Sequence, residues 1–134
     1  MQSKDLLQLA EQYGSPLYVY DAAKIQSQYN RLSKAFSKVN KLRINYAMKA
    51  LSNVAILQLL REMGSGLDTV SIQEVMLGLH AGYEPDRIFY TPNGVSLEEI
   101  EEVNAMGVQI NIDNLSILEQ FGTKYPHVPV CIRI

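Results

Sequence analysis

Cysteine is almost missing from this 134-residue chain, where Cys131 stands alone. No internal disulfide can form, and a reducing compartment fits. Long apolar runs are missing as well. None approaches the ~20 residues that a bilayer-spanning helix needs, and the opening Met1-Gln2-Ser3-Lys4-Asp5 has no apolar signal core. The expectation is a cytoplasmic protein with no membrane partner. Neither charge dominates. Twelve Lys and Arg face 14 Asp and Glu, for a net charge of -2, and no basic patch is interleaved with aromatics, so nucleic acid is not an expected partner. Histidine is scarce. His80 lies beside a helix stop at Gly82 and His127 lies in a turn between Pro126 and Pro129. Both read as structural, and no metal site is expected. What remains is a globular composition, 47% hydrophobic and 19% charged, in a length suited to one ordinary domain.

The chain alternates strand and helix signals. Candidate strands begin near Ile44, Leu67, Ile88, Gln109 and Pro129, at steps of 20 to 23 residues. Each gap holds one helix-length segment. Asn53 is placed to cap a helix with Ile56, Leu60 and Met63 on its apolar side and Gly64 as its stop. Ser71-Ile72-Gln73-Glu74 and Ser96-Leu97-Glu98-Glu99 both have capping-box spacing, with stops at Gly82 and Gly107. Asn114 opens a helix carrying Leu118 and Phe121, with Gly122 read as its end. Alternation of this kind implies βαβ units and a parallel sheet.

Two architectures share that pattern, an open doubly wound sheet and a closed (β/α)₈ barrel. The open sheet of a dinucleotide-binding protein would carry a glycine-rich loop after its first strand. Met48-Lys49-Ala50-Leu51-Ser52 occupies that place, and Gly64 and Gly66 precede a strand instead. The short, regular units favour a (β/α)₈ barrel, which needs eight strands and roughly 250 residues. Five strands amount to about half of one, so the chain reads as the N-terminal portion of a longer protein, truncated inside its fifth strand.

Residues 1–40 stand outside the rhythm. Gly14-Ser15-Pro16 reads as a turn, Leu17-Tyr18-Val19-Tyr20-Asp21 as a strand, and Asp21 as the cap of a polar helix running through Ile25, Leu32 and Phe36. The domain reading is therefore a strand-and-helix lead-in over 1–40, its strand belonging to a β domain that is absent here, and the first half of a barrel over 41–134.

Lys49 is the candidate of greatest interest. It follows an apolar stretch, Ile44-Asn45-Tyr46-Ala47-Met48, and an ammonium at the end of a buried strand is rarely left without a partner. A desolvated lysine can lose its proton and attack an aldehyde, forming a Schiff base. The alternative is a strand that stops at Met48, with Lys49 in water. Strand alternation would place Asn45, Ala47 and Lys49 on one face, with Asp68 and Val70 on the second strand and Cys131 and Arg133 on the last. In a barrel that face points inward and the carboxyl ends of the strands carry the site. Asp68 could orient the lysine, or be a turn residue after Gly66. Arg133 could bind an anionic oxygen, or be an edge charge reaching water.

Five ordered pieces carry a resemblance. Tyr46-Ala47-Met48-Lys49-Ala50 resembles the pyridoxal phosphate lysine motif of the alanine-racemase-like barrel decarboxylases. Gly66-Leu67-Asp68-Thr69-Val70-Ser71-Ile72-Gln73-Glu74 is similar to their second-strand motif, and residues 14–21 resemble their N-terminal strand, most closely in diaminopimelate decarboxylases. Ile88-Phe89-Tyr90-Thr91-Pro92-Asn93-Gly94-Val95-Ser96 and Asn111-Ile112-Asp113-Asn114 continue the match. Two departures stand out. Gln73 takes the place of a frequent glycine, and Val95 that of a frequent lysine.

The resemblance implies an alanine-racemase-like barrel and pyridoxal 5'-phosphate as cofactor. It implies that Lys49 carries the cofactor in a Schiff base and helps protonate the product. Ala47 would be small enough for the ring to approach, Asp68 the acid close to the lysine, and Arg133 the arginine near the ring oxygen. The implied reaction is decarboxylation of an amino acid, meso-2,6-diaminopimelate to L-lysine, by a homodimer when full length. The alternatives are decarboxylation of another basic amino acid, racemisation of alanine, or a homologue that binds cofactor without turnover. Cys131 reads as a small buried core residue.

Overall fold

The computed structural model describes residues 2–134. Of these, residues 2–38 and 39–134 form two compact units.

The first unit holds helix α1 (Ser3–Tyr13) and helix α2 (Ala22–Ala35). The sequence reading missed α1, whose start is closed by the Asp5 carboxylate accepting from the Gln2 N–H at 2.8 Å. Asp21 caps α2 as expected, accepting from the Lys24 N–H at 3.1 Å. That bond to the ionised form is the main reason the Asp21 carboxyl is held below its ordinary range. The strand expected over residues 17–21 is not formed. Among the described residues its backbone joins no ladder, and β propensity alone makes no strand without a partner to pair with.

The second unit is built on strands β1 (Asn45–Ala47), β2 (Gly66–Thr69), β3 (Ile88–Tyr90), β4 (Gln109–Ile112) and β5 (Val130–Ile132). Between them lie α3 (Val54–Glu62), α4 (Ile72–His80), α5 (Leu97–Ala105) and α6 (Leu115–Lys124). Each of these helices starts where its polar cap predicts. Asn53, Ser71, Ser96 and Asn114 all accept N–H bonds from the first turn. The two capping boxes close only on one side. Glu74 accepts from the Val70 N–H at 2.8 Å, and Glu99 takes the Tyr90 hydroxyl instead. Gly64 and Gly82 end α3 and α4 at φ of 88° and 89°, the left-handed region that a side chain would resist. Gly122, by contrast, lies inside α6, which continues to Lys124.

All four strand pairings are parallel and the spatial order is β1-β2-β3-β4-β5. Order decides the architecture. Right-handed crossovers that always step the same way place every helix on one side of the sheet, which is the winding of a barrel; an open doubly wound sheet reverses. Burial agrees. Leu67, Thr69, Ile88, Tyr90, Ile110 and Ile112 alternate along β2, β3 and β4 as the buried face, packed with Leu57, Val75, Ile100, Val103 and Phe121 from the helices. The buried hydroxyls are satisfied. Thr69 donates to the Phe89 carbonyl at 2.9 Å and Tyr83 to the Leu57 carbonyl at 3.0 Å. The opposite face carries Asn45, Ala47, Asp68, Phe89, Gln109, Asn111 and Cys131. Cys131 is exposed on this face, so it is not the buried core residue the sequence suggested. The face is mostly polar because its residues alternate with the ones that build the core.

Candidate functional site

Lys49 does not lie on β1. The strand ends at Ala47, and Met48–Ala50 form a single 3₁₀ turn closed by the Leu51 N–H donating to the Met48 carbonyl at 3.1 Å. The turn is pinned from below. Met48 is fully buried, and the Tyr46 hydroxyl donates to the Leu51 carbonyl at 3.1 Å. Lys49 between them is exposed. The expectation of a desolvated amine at a strand end is therefore corrected. The chain leaves the sheet at Ala47, and Lys49 falls on the exposed turn that follows. The consequence is chemical access: among the described residues no hydrogen bond or ion pair commits the Lys49 amine.

Ala47 and Asp68 are direct register partners on the polar face, so the sheet itself sets a small side chain beside a carboxylate. Asp68 is half-buried, and its Oδ1 accepts from the Thr91 hydroxyl at 2.6 Å. Thr91 in turn accepts from Asn111 Nδ2 at 2.7 Å. Thr91 and Asn111 fall within the sequence motifs, which assign them no role. The signal available for them was strand alternation, which places Asn111 on the face shared with Asp68.

Arg133 extends the β4–β5 ladder, its N–H donating to the Ile112 carbonyl at 2.9 Å. Alternation therefore carries it to the same face as Cys131, and it is exposed. It stands at the carboxyl end of β5, while Lys49 follows β1 at the other edge of the sheet. Four strand spacings separate them, roughly 19 Å along the sheet. The structure joins Ala47 with Asp68 and sets Lys49 just beyond them. It does not bring Arg133 to Lys49 within these residues. Among the described residues no group of His, Cys, Asp and Glu is placed to hold a metal ion, and no helix is long and apolar enough to cross a membrane.

Comparison with known proteins decides the family. The profile described as "Pyridoxal-dependent decarboxylase, pyridoxal binding domain" matches residues 22–134. The chain belongs to the pyridoxal-dependent decarboxylases. Among curated members of that family it is 44% identical over 115 residues to the diaminopimelate decarboxylase of Methanothermobacter thermautotrophicus, covering 85% of this chain and 27% of the relative. It is 43% identical over 137 residues to that of Bacillus subtilis, covering 97% and 31%. A solved diaminopimelate decarboxylase from M. jannaschii, in co-complex with L-lysine, superposes with a TM-score of 0.84 at 28% identity over 96% of this chain and 32% of that one. A lysine/ornithine decarboxylase from Vibrio vulnificus, complexed with putrescine, gives 0.86 at 26% identity over 98% and 36%. The chain thus spans about a third of the length of these relatives. The barrel architecture expected from the strand rhythm is the decarboxylases' own, and pyridoxal is the cofactor of the matched domain.

The residues around Lys49 fit that cofactor. Pyridoxal is a flat aldehyde, and the turn after β1 offers an exposed amine at Lys49, while the face beside it offers a side chain no larger than methyl at Ala47 and a carboxylate at Asp68 already oriented by a neighbour.

Proposed function

We propose that this chain is the cofactor-bearing portion of an amino-acid decarboxylase that converts meso-2,6-diaminopimelate to L-lysine and CO₂. The carrying observation is the Lys49 amine, exposed and uncommitted on a rigidly pinned turn beside Ala47 and Asp68, in a chain of this family. Pyridoxal phosphate, when bound, supplies a conjugated cation that accepts the electron pair left as CO₂ departs. The chain's own residues do the rest. Lys49 would hold the cofactor and return a proton to the product at its Nζ. Ala47 leaves room for a flat ring. Asp68 would balance positive charge beside the lysine, and Arg133 would hydrogen-bond an anionic oxygen from the far side of the barrel. Residues 41–134 would form the first half of that barrel and 1–40 its lead-in. The intact enzyme is inferred to be a cytoplasmic homodimer.

The diaminopimelate assignment rests on the named relatives. The likeness to the lysine/ornithine enzyme supports a second reading, decarboxylation of another basic amino acid by the same residues. One experiment separates the readings. The full-length protein is loaded with pyridoxal phosphate, reduced with borohydride and mapped by peptide mass, and CO₂ release is compared on meso-diaminopimelate, lysine, ornithine and arginine. The label is expected on Lys49, to vanish in Lys49→Ala, and CO₂ release is expected to be fastest from diaminopimelate. A label on any other lysine overturns the site, and faster release from another substrate overturns the substrate alone.

A further inference from the structure

Three neighbouring strands each contribute one residue to a hydrogen-bonded row on the polar face. Asp68 comes from β2, Thr91 directly follows β3, and Asn111 comes from β4. The row has a single direction. An ionised carboxylate only accepts, and a hydroxyl has one proton to give. The Thr91 proton therefore goes to Asp68 Oδ1 at 2.6 Å, and the Thr91 oxygen must accept from Asn111, whose amide then presents Nδ2 at 2.7 Å. The backbone holds the middle member. The Thr91 N–H donates to the Thr69 carbonyl at 2.7 Å, carrying the β2–β3 ladder one residue past the strand. Asp68 is left with one oxygen tied and, among the described residues, Oδ2 uncommitted.

The row is not part of the core, which lies on the other face of the same strands. Its effect is on the geometry of one carboxylate, and that carboxylate is the register partner of Ala47, two residues before Lys49. A charge held in one rotamer stabilises a neighbouring cation without losing rotational freedom at the moment it is needed. We propose that Thr91 and Asn111 are positioning residues of the Lys49 site, acting through Asp68 by fixing its carboxylate so that one oxygen serves the positive charge beside Lys49. This rests on the reading of Lys49 given above.

The test uses the full-length protein loaded with pyridoxal phosphate, in Thr91→Val, Thr91→Ser, Asn111→Ala and Asp68→Ala backgrounds, with decarboxylation kinetics and the visible circular dichroism of the bound cofactor. Thr91→Val is expected to lower kcat about tenfold, to leave KM and cofactor content within about twofold, and to weaken the visible dichroic band. Thr91→Ser recovers both. Asn111→Ala gives a loss of about threefold, because it removes only the outer bond, and it serves in place of Thr91→Val if that variant does not fold. In the Asp68→Ala background Thr91→Val has no further effect, as action through Asp68 requires. A parent-like kcat and dichroism in Thr91→Val, or an undiminished loss in the Asp68→Ala background, overturns the proposal. So does a loss matched by lost cofactor. Borohydride labelling of the parent separates the two levels: Lys49 labelled with a parent-like Thr91→Val removes this proposal alone, while a label elsewhere removes the Lys49 reading beneath it.

Discussion

Tyr90 draws Glu99 away from the capping role that its spacing suggests. It is fully buried between β3 and α5 and donates its hydroxyl to Glu99. Burial first, then the Glu99 hydrogen bond and charge, push the Tyr90 pKa well above its ordinary value of 10. The native state keeps this proton after the unfolded chain has lost it, so the contribution is intact below pH 10 and is lost as pH rises further. Tyr90→Phe is expected to flatten the alkaline decline measured by urea unfolding across that range. At neutral pH it should destabilise by about 1 kcal/mol through the lost hydrogen bond. Sequence spacing suggested that Glu99 would close a box on Ser96; the Ser96 half was legible, because it is local, but the competing partner Tyr90 comes from the preceding strand.

Helix α4 approaches the sheet closely, and Gly78 is the reason it can. A Cβ built there would lie 2.8 Å from Leu67 Cδ1 and 3.2 Å from Ile88 Cδ1, and both of those residues are fully buried, so neither has room to yield. Gly122 in α6 is the contrast, with nothing within 4 Å of the same construction. Gly78→Val is expected to destabilise the full-length protein by about 1–3 kcal/mol through overpacking. Gly122→Ala should stabilise it by about 0.5–1 kcal/mol, since a mid-helix glycine loses more backbone entropy than alanine. Chemical denaturation of the two variants checks both signs. Sequence pattern alone makes Gly122 a helix stop and is silent on Gly78. A glycine's position along a helix can be guessed from pattern, but its neighbours across the core cannot.

At the scale of the molecule, the sheet has β1 and β5 as its edges and one face covered by helices. Its other face is mixed, with Asn45, Asp68, Gln109 and Asn111 upon it beside Ala47, Phe89 and Cys131. Lys49 and Arg133 stand at opposite edges of that face. A protein consisting of residues 1–134 alone is therefore expected to hold pyridoxal phosphate weakly and to release no CO₂ from diaminopimelate. Measurable release from the purified piece, against the full-length enzyme as reference, would contradict this and place the whole of the chemistry on these residues.

Local physics made much of this chain readable in advance. The helix caps at Asn53, Ser71, Ser96 and Asn114, the glycine stops at Gly64, Gly82 and Gly107 and the five strands are legible because hydrogen bonding and side-chain periodicity act over a few residues. Lys49 was legible as the residue to examine because a cation after an apolar strand is chemically out of place. Other features needed the fold. Sequential strand order chose the barrel winding, the chain's exit from β1 at Ala47 set Lys49 on an exposed turn, and residues 17–21 found no strand to pair with among those described. Asp68 meets Thr91 across 23 residues, and Thr91 meets Asn111 across 20. Such contacts arise from strand register, which is decided only when every strand buries its apolar side against the same helices.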